Sequence, residues 1–167
     1  ILIKILISYL LGSISGSMII GRLQGIDIRK LGSGNTGGTN TFRVMGSFYA
    51  LIVLSIDILK GYIAVSFVAL LNLNDIFAMQ EINISIMQII CGMGAVLGHV
   101  YPLFYSFKGG KGAGTMVGVL IALFPMGLLI CFIIWLSVLI TTGYVGLSTI
   151  TAAITLPIIT LIYYDSE

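Results

Sequence analysis

The 167-residue sequence is 58% hydrophobic and 8% charged, with a formal net charge of +2. Soluble domains carry roughly a quarter charged residues, so a chain of this composition cannot cover a water-facing surface of its own size. Its length leaves room for several membrane spans and short loops but for no separate soluble domain. The expected architecture is all-α: a polytopic integral membrane helical bundle of roughly five to seven spans, some short, with residues 1–167 forming one transmembrane domain.

A bilayer core takes about 20 apolar residues per helix. The first apolar run covers 1–20. Its position resembles that of a signal peptide, but Lys4 lies within it, no clean cleavage pattern follows and further spans come after. It reads as a retained first span, with Lys4 snorkelling to the outer interface. Because the chain starts at Ile1 rather than Met, it is expected to be incomplete at one or both ends.

A polar, glycine-rich segment at 25–45 separates this run from the second, at 48–71. Asp57 and Lys60 lie inside the second run, three residues apart and so on one helical face. An unpaired charge at mid-membrane costs about 2.5–3.5 kcal/mol, so the two are expected to pair, with support of a nearby site as a second role. A short loop with Asp75 and Glu81 leads to the third run, at 84–104. The fourth, 113–140, exceeds one crossing and has Pro125 near its middle, which makes it either one kinked helix or two short ones meeting at Phe124-Pro125. The last covers 147–164. Cys91 and Cys131 both sit in apolar runs and read as packing thiols rather than a disulfide. Trp135, Tyr101, Tyr105, Tyr163 and Tyr164 read as interfacial aromatics.

Charge orients the spans. The first loop carries Arg22, Arg29, Lys30 and Arg43 against Asp27, and the third carries Lys108 and Lys111 with no acid, whereas the loop between them is acidic. Positive charge marks the cytoplasmic side, so both basic loops are expected to face the cytoplasm and can form one site.

The first loop reads Gly32-Ser33-Gly34-Asn35-Thr36-Gly37-Gly38-Thr39-Asn40-Thr41-Phe42-Arg43. Closely spaced glycines let successive backbone N–H groups point at one spot. Ser33, Thr36, Thr39 and Asn40 add side-chain donors, and Arg43 adds a bidentate fork suited to phosphate. The competing reading is a turn kept small for helix packing. The third loop ends in Lys108-Gly109-Gly110-Lys111-Gly112, two ammonium groups on a flexible, amide-exposing backbone. It is not the Walker nucleotide signature Gly-x-x-x-x-Gly-Lys-Ser/Thr, because Gly112 and Ala113 follow the lysines, and an ATPase is excluded. The lysines alone would fit positive-inside anchoring, but that leaves the interspersed glycines unexplained. His99, the only histidine, reads as a proton-transfer group or a phosphate donor, against a structural histidine bonded to a carbonyl. One histidine remote from both cysteines makes no zinc site, and nothing points to nucleic acid.

Gly-Ser-Gly-Asn-x-Gly-x-Thr-Asn-x-x-Arg at 32–43 and Gly-His-x-x-Pro-x-x-x-x-Phe-Lys-Gly-Gly-Lys-Gly at 98–112 together resemble the PlsY family of bacterial membrane acyltransferases. Tyr9-Leu-Leu-Gly-Ser-Ile14 and Asp57-Ile-Leu-Lys-Gly61 echo the same family, and the likeness runs through essentially the whole chain. The chain departs from it at Gly38, where the family has alanine, at Ser15, where it has proline, and at Gly143 and Gly146, where it has arginine and serine. A family segment Asn-x-x-Arg-Leu does not occur before Glu167, so the chain is expected to be either truncated at its C-terminus or a degenerate member.

The resemblance implies transfer of an acyl group from acyl phosphate to the 1-hydroxyl of glycerol 3-phosphate, giving 1-acylglycerol 3-phosphate, as the first step of phospholipid synthesis. It implies a bacterial inner membrane, a site facing the cytoplasm and no cofactor. It assigns catalytic roles to His99, Lys108, Thr39 and Ser148. Substrate binding falls to Ser33, Gly34, Asn35, Gly37, Gly38, Asn40, Arg43, Gly109, Gly110, Lys111 and Gly112. A transporter or channel for a small phosphorylated anion, or a non-catalytic relative, are the alternatives.

Overall fold

A computed structural model of the protein describes residues 1–72 and 83–164, with the side chains of Tyr163 and Tyr164 excepted. Asp75 and Glu81 of the acidic loop lie outside the described residues, as do the side chains of those two expected interfacial tyrosines. The chain forms two compact units, Ile1–Leu123 and Phe124–Glu167. Five segments are long and apolar enough to cross a bilayer: Leu2–Leu23, Ser47–Val68, Ile84–Tyr105, Pro125–Thr142 and Val145–Ile162. The described residues form helices and turns without strands.

The first segment differs from the single helix expected. It is two helices, α1 (Leu2–Gly12) and α2 (Gly16–Leu23), separated by Ser13, Ile14 and Ser15. Ser15 is extended, and its hydroxyl accepts from the Met18 N–H at 3.4 Å as an N-cap. Inside a bilayer, backbone groups freed by such a break must find partners within the protein. The Ile14 carbonyl finds one in the Lys60 ammonium, at 2.8 Å. The break lies where Ser13 and Ser15 stand between two glycines, which a hydropathy reading passes over.

After the first loop come α3 (Gly38–Met45) and α4 (Ser47–Ile63), the latter continuing into a π-helical turn at Ala64–Val68. The Lys4 ammonium donates to the Ala69 carbonyl at 2.7 Å, at the end of that turn. The third segment is α5 (Ile84–Val100), and α6 (Ala113–Leu123) follows the second basic loop. At 1.5 Å per residue α6 is about 16 Å long, roughly half a bilayer core.

Two glycine seams bring these helices together. A methyl group added to Gly12 or Gly98 would overlap the backbone of Ala95 or of Tyr9, where α1 meets α5. One added to Gly61 or Gly118 would overlap the backbone of Thr115 or of Ile58, where α4 meets α6. In lipid, apolar side chains gain nothing by leaving solvent, so close backbone approach through small residues drives association instead. Cys91 packs with Val68, Ala69 and Met87 in a buried cluster, as a free thiol.

The second unit is a helical hairpin of α7 (Pro125–Thr142) and α8 (Val145–Tyr164). Of the two readings of the fourth run, the two-helix one holds. Phe124 is non-helical at φ −150° and ψ 68°, and Pro125 opens α7 where its missing N–H removes no helical bond. Gly143 ends α7 in the left-handed conformation, its N–H donating to the Leu139 carbonyl at 2.8 Å. Trp135 donates its indole N–H to Thr149 Oγ1 at 3.2 Å, a hydrogen bond within the hairpin.

Candidate functional site

The first basic loop is held by a buried asparagine. Asn40 sits in the first turn of α3 with its side chain fully buried. Its Oδ1 accepts from the Ser33 N–H at 2.8 Å, and its Nδ2 donates to the Leu31 carbonyl at 3.0 Å and the Ile28 carbonyl at 3.3 Å. One amide thereby ties down the preceding loop at three points. Gly32 and Gly34 have φ of 58° and 71°, the left-handed region, and a methyl on Gly32 would overlap Asn40 Oδ1. Thr41 donates its hydroxyl to the Gly37 carbonyl at 3.1 Å. The Thr36 hydroxyl is buried and has no hydrogen-bond partner. Ser33, Thr39 and Arg43 are exposed, with Asn35, Gly37 and Gly38 part-buried beside them.

On the rim of this loop Asp27 accepts from Arg29 through both carboxylate oxygens, at 3.0 and 3.1 Å. The Arg29 guanidinium holds the Asp27 carboxyl below the usual carboxylate range. A shallow cavity of about 310 Å³ opens here, lined by Met18, Arg22, Gly25, Ile26, Asp27 and Arg29.

The second loop is held by backbone. Gly109 and Gly110 donate their N–H groups to the carbonyls of Val100 and His99, both at 3.1 Å, folding the Lys-Gly-Gly-Lys-Gly segment back onto the end of α5. The turn that reverses the chain places Ser106 and Phe107 at φ 56° and 58°. Gly112, at φ 82°, starts the approach to α6. Lys108 and Lys111 are exposed. The loop is also tied to the break in the first span: Tyr9 Oη donates to the Tyr101 carbonyl at 2.7 Å, and the Leu103 N–H donates to Ser13 Oγ at 3.3 Å.

Tyr105 connects the two loops. It is buried against Met18 and Ile28 of the first-loop region, with the Arg22 guanidinium 5.4 Å from its ring centroid. It is therefore part of the junction and not the interfacial aromatic expected from its position; Tyr101 remains exposed. Both loops emerge on one side of the first unit.

Beneath them lies a buried polar cluster. Lys60 and Asp57 pair at 3.0 Å, the expected i, i+3 contact, and His99 joins them: its Nδ1 lies 2.8 Å from the Lys60 ammonium and 3.4 Å from Asp57 Oδ1. A methyl on Gly110 would overlap His99 Nε2, which places that edge of the ring against the second loop. The sequence signals for this cluster were three charged or titratable residues inside apolar runs, two of them a helical turn apart; nothing in the sequence joined His99 to the pair. Ser148 lies in the second unit, where its hydroxyl donates to the Tyr144 carbonyl at 2.9 Å. Among the described residues no three His, Cys, Asp or Glu side chains converge as a metal site requires.

Comparison with known proteins identifies the family and the fold. Residues 2–166 match the protein family described as glycerol-3-phosphate acyltransferase. A glycerol-3-phosphate acyltransferase of Chlorobium phaeobacteroides is 46% identical over 155 residues, covering 92% of this chain and 66% of the relative. One from Chlorobaculum parvum is 46% identical over 157 residues, covering 93% of this chain and 68% of the relative. The chain thus spans about two thirds of the length of these relatives. The crystal structure of PlsY, an integral membrane glycerol 3-phosphate acyltransferase, in its glycerol 3-phosphate form superposes with a TM-score of 0.82 at 36% identity, covering 97% of this chain and 76% of that one. Its lysophosphatidic acid form gives a TM-score of 0.80 at the same identity and coverage. The chain is an all-helical integral membrane protein and belongs to the glycerol-3-phosphate acyltransferase family.

Proposed function

We propose that the protein transfers an acyl group from acyl phosphate to the 1-hydroxyl of glycerol 3-phosphate, at the cytoplasmic face of a bacterial inner membrane. The observation that carries this reading is the pairing, through Tyr105, of two glycine-rich loops whose cations stand exposed above a buried polar cluster. The phosphate groups of the two substrates bring about three to four negative charges to one place. Arg43, Lys108 and Lys111 supply the opposite charge, and the loop amides supply further donors. Neither loop alone balances two substrates. One relative of this fold, PlsY, crystallised in a glycerol 3-phosphate form and a lysophosphatidic acid form, is consistent in chemistry with such a site.

Acyl phosphate is already activated, because phosphate is a good leaving group. The protein's task is then to align the glycerol hydroxyl with the acyl carbonyl and to stabilise the charge that develops. The hydroxyl oxygen bonds to the carbonyl carbon, the bond from that carbon to the phosphate oxygen breaks, and inorganic phosphate leaves. The hydroxyl proton passes to a phosphate oxygen or to His99. Lys108, Lys111 and Arg43 hold phosphate. Ser33, Thr39 and the buried, unpartnered Thr36 hydroxyl offer donors within the first loop. The acyl chain lies among apolar helix faces, entered from the bilayer. Nothing in the family assignment favours an anion transporter.

The donor is tested with purified protein in liposomes, given labelled glycerol 3-phosphate and either an acyl phosphate or the matching acyl thioester. Labelled 1-acylglycerol 3-phosphate should form from acyl phosphate only; equal use of the thioester would overturn the donor assignment. For the orientation, Gln24→Cys in the first loop should react with a membrane-impermeant thiol reagent in inside-out vesicles and not in intact cells.

A further inference from the structure

Asp57, Lys60 and His99 are 3%, 3% and 5% exposed, so their polar atoms depend on one another. A lysine ammonium has three donors and no acceptor. Two of the Lys60 donors make hydrogen bonds, to the Ile14 carbonyl and to His99 Nδ1, both at 2.8 Å. Its third side faces Asp57 Oδ1 at 3.0 Å, as an ion pair rather than an aligned hydrogen bond. Since the ammonium can only donate, Nδ1 must accept, and the ring proton of His99 sits on Nε2. The opposite arrangement, with Nδ1 donating to Asp57, would turn an N–H toward an ammonium 2.8 Å away in order to make a contact of 3.4 Å. That contact is longer than a good N–H···O bond.

The proton on Nε2 has a direction. Nε2 lies against Gly110, and only the absence of a side chain there leaves room for it. The N–H groups of Gly109 and Gly110 are themselves bonded to the carbonyls of Val100 and His99. The Nε2–H is therefore a donor that this segment has to spare, on the inner side of the loop that carries Lys108 and Lys111.

We propose that Lys60 is a positioning residue: it fixes His99 with its proton on Nε2, so that the imidazole donates a hydrogen bond to a phosphate held by the 108–112 loop. This rests on the acyl-transfer reading above. Lys60 also ties the broken first span to the site, through Ile14. A purely structural role would end there.

The test uses the fact that His99 is the only histidine in the chain. Protein labelled with nitrogen-15 histidine and carrying no histidine tag gives one imidazole in the spectrum. The proton is expected on Nε2 in the wild type. Lys60→Met should give a mixture of tautomers and lower kcat by about tenfold to a hundredfold, with a much smaller change in KM for glycerol 3-phosphate. Lys60→Arg, still a donor, should restore the wild-type tautomer and part of kcat. A wild-type ring protonated on Nδ1 overturns the proposal, and this reading survives even if Lys60→Met does not fold. Unchanged kcat in a folded Lys60→Met protein overturns it too. Wild-type protein with the expected tautomer but no acyl transfer would instead remove the functional reading and the proposal with it. Acyl transfer together with the wrong tautomer would remove the proposal alone.

Discussion

In the 25–38 loop one buried side chain holds the backbone, whereas in the 106–112 loop the carbonyls at the end of α5 do so. Asn40 uses its whole amide on Ser33, Leu31 and Ile28. The second loop closes through Gly109 and Gly110 on His99 and Val100. The difference separates scaffold from chemistry in each. In the first loop the motif's polar residues divide, Asn40 and Thr41 being engaged internally while Ser33, Thr39 and Arg43 stand exposed. In the second, the glycines form the scaffold and the lysines are left for a ligand. A motif of uniform polarity in sequence is therefore not a uniform set of ligands in space.

Lys108 should show the largest effect. Removing a charge that holds phosphate only at the reacting centre is comparable with deleting an oxyanion-site donor, so Lys108→Ala should lower kcat for acyl transfer by about a hundredfold or more, with folding unchanged by thermal melting in detergent. Near wild-type turnover would remove the second loop's ammonium from the mechanism.

The first loop predicts a different pattern. Asn40→Ala strands a part-buried N–H and two carbonyls, that of Ile28 buried, and leaving a buried group unsatisfied costs about 1–3 kcal/mol. Its melting temperature should fall along with its activity. Thr39→Ala, on the exposed side, should lower activity at unchanged melting temperature. If both variants melted like the wild type, Asn40 would not be the scaffold of this loop.

Much of this was legible in the sequence, for physical reasons that also mark where it stops. Hydropathy and loop charge gave five membrane-crossing segments, because lipid imposes length and composition on any helix that spans it. The split of the fourth run at Phe124-Pro125 was one of two readings, since proline can kink a helix or begin one. The break at Ser13–Ser15 was hidden, as its residues are small and its stabilising partner, Lys60, is 46 positions away. The partner of Lys4 was hidden for the same reason: only the fold puts the Ala69 carbonyl within reach. Asn40 looked like any other donor in a glycine loop until its three bonds were visible.

The Asp27–Arg29 pair on the rim should matter least. Both side chains are about a third exposed, where solvent screens such pairs. Since the Asp27 carboxyl titrates below its ordinary value, about 4, its contribution is present above that value and fades as pH falls through the lower folded one. Asp27→Asn should change the melting temperature slightly at neutral pH and not at all at strongly acidic pH. A larger loss at acidic than at neutral pH would reverse the sign and refute the pairing.

The most direct measurement is the release of inorganic phosphate from acyl phosphate by purified protein, with and without glycerol 3-phosphate. Release that depends on glycerol 3-phosphate and matches the formation of 1-acylglycerol 3-phosphate mole for mole is the predicted result. Phosphate release independent of glycerol 3-phosphate, or none in folded protein, would contradict the assignment of the two loops to one acyl-transfer site.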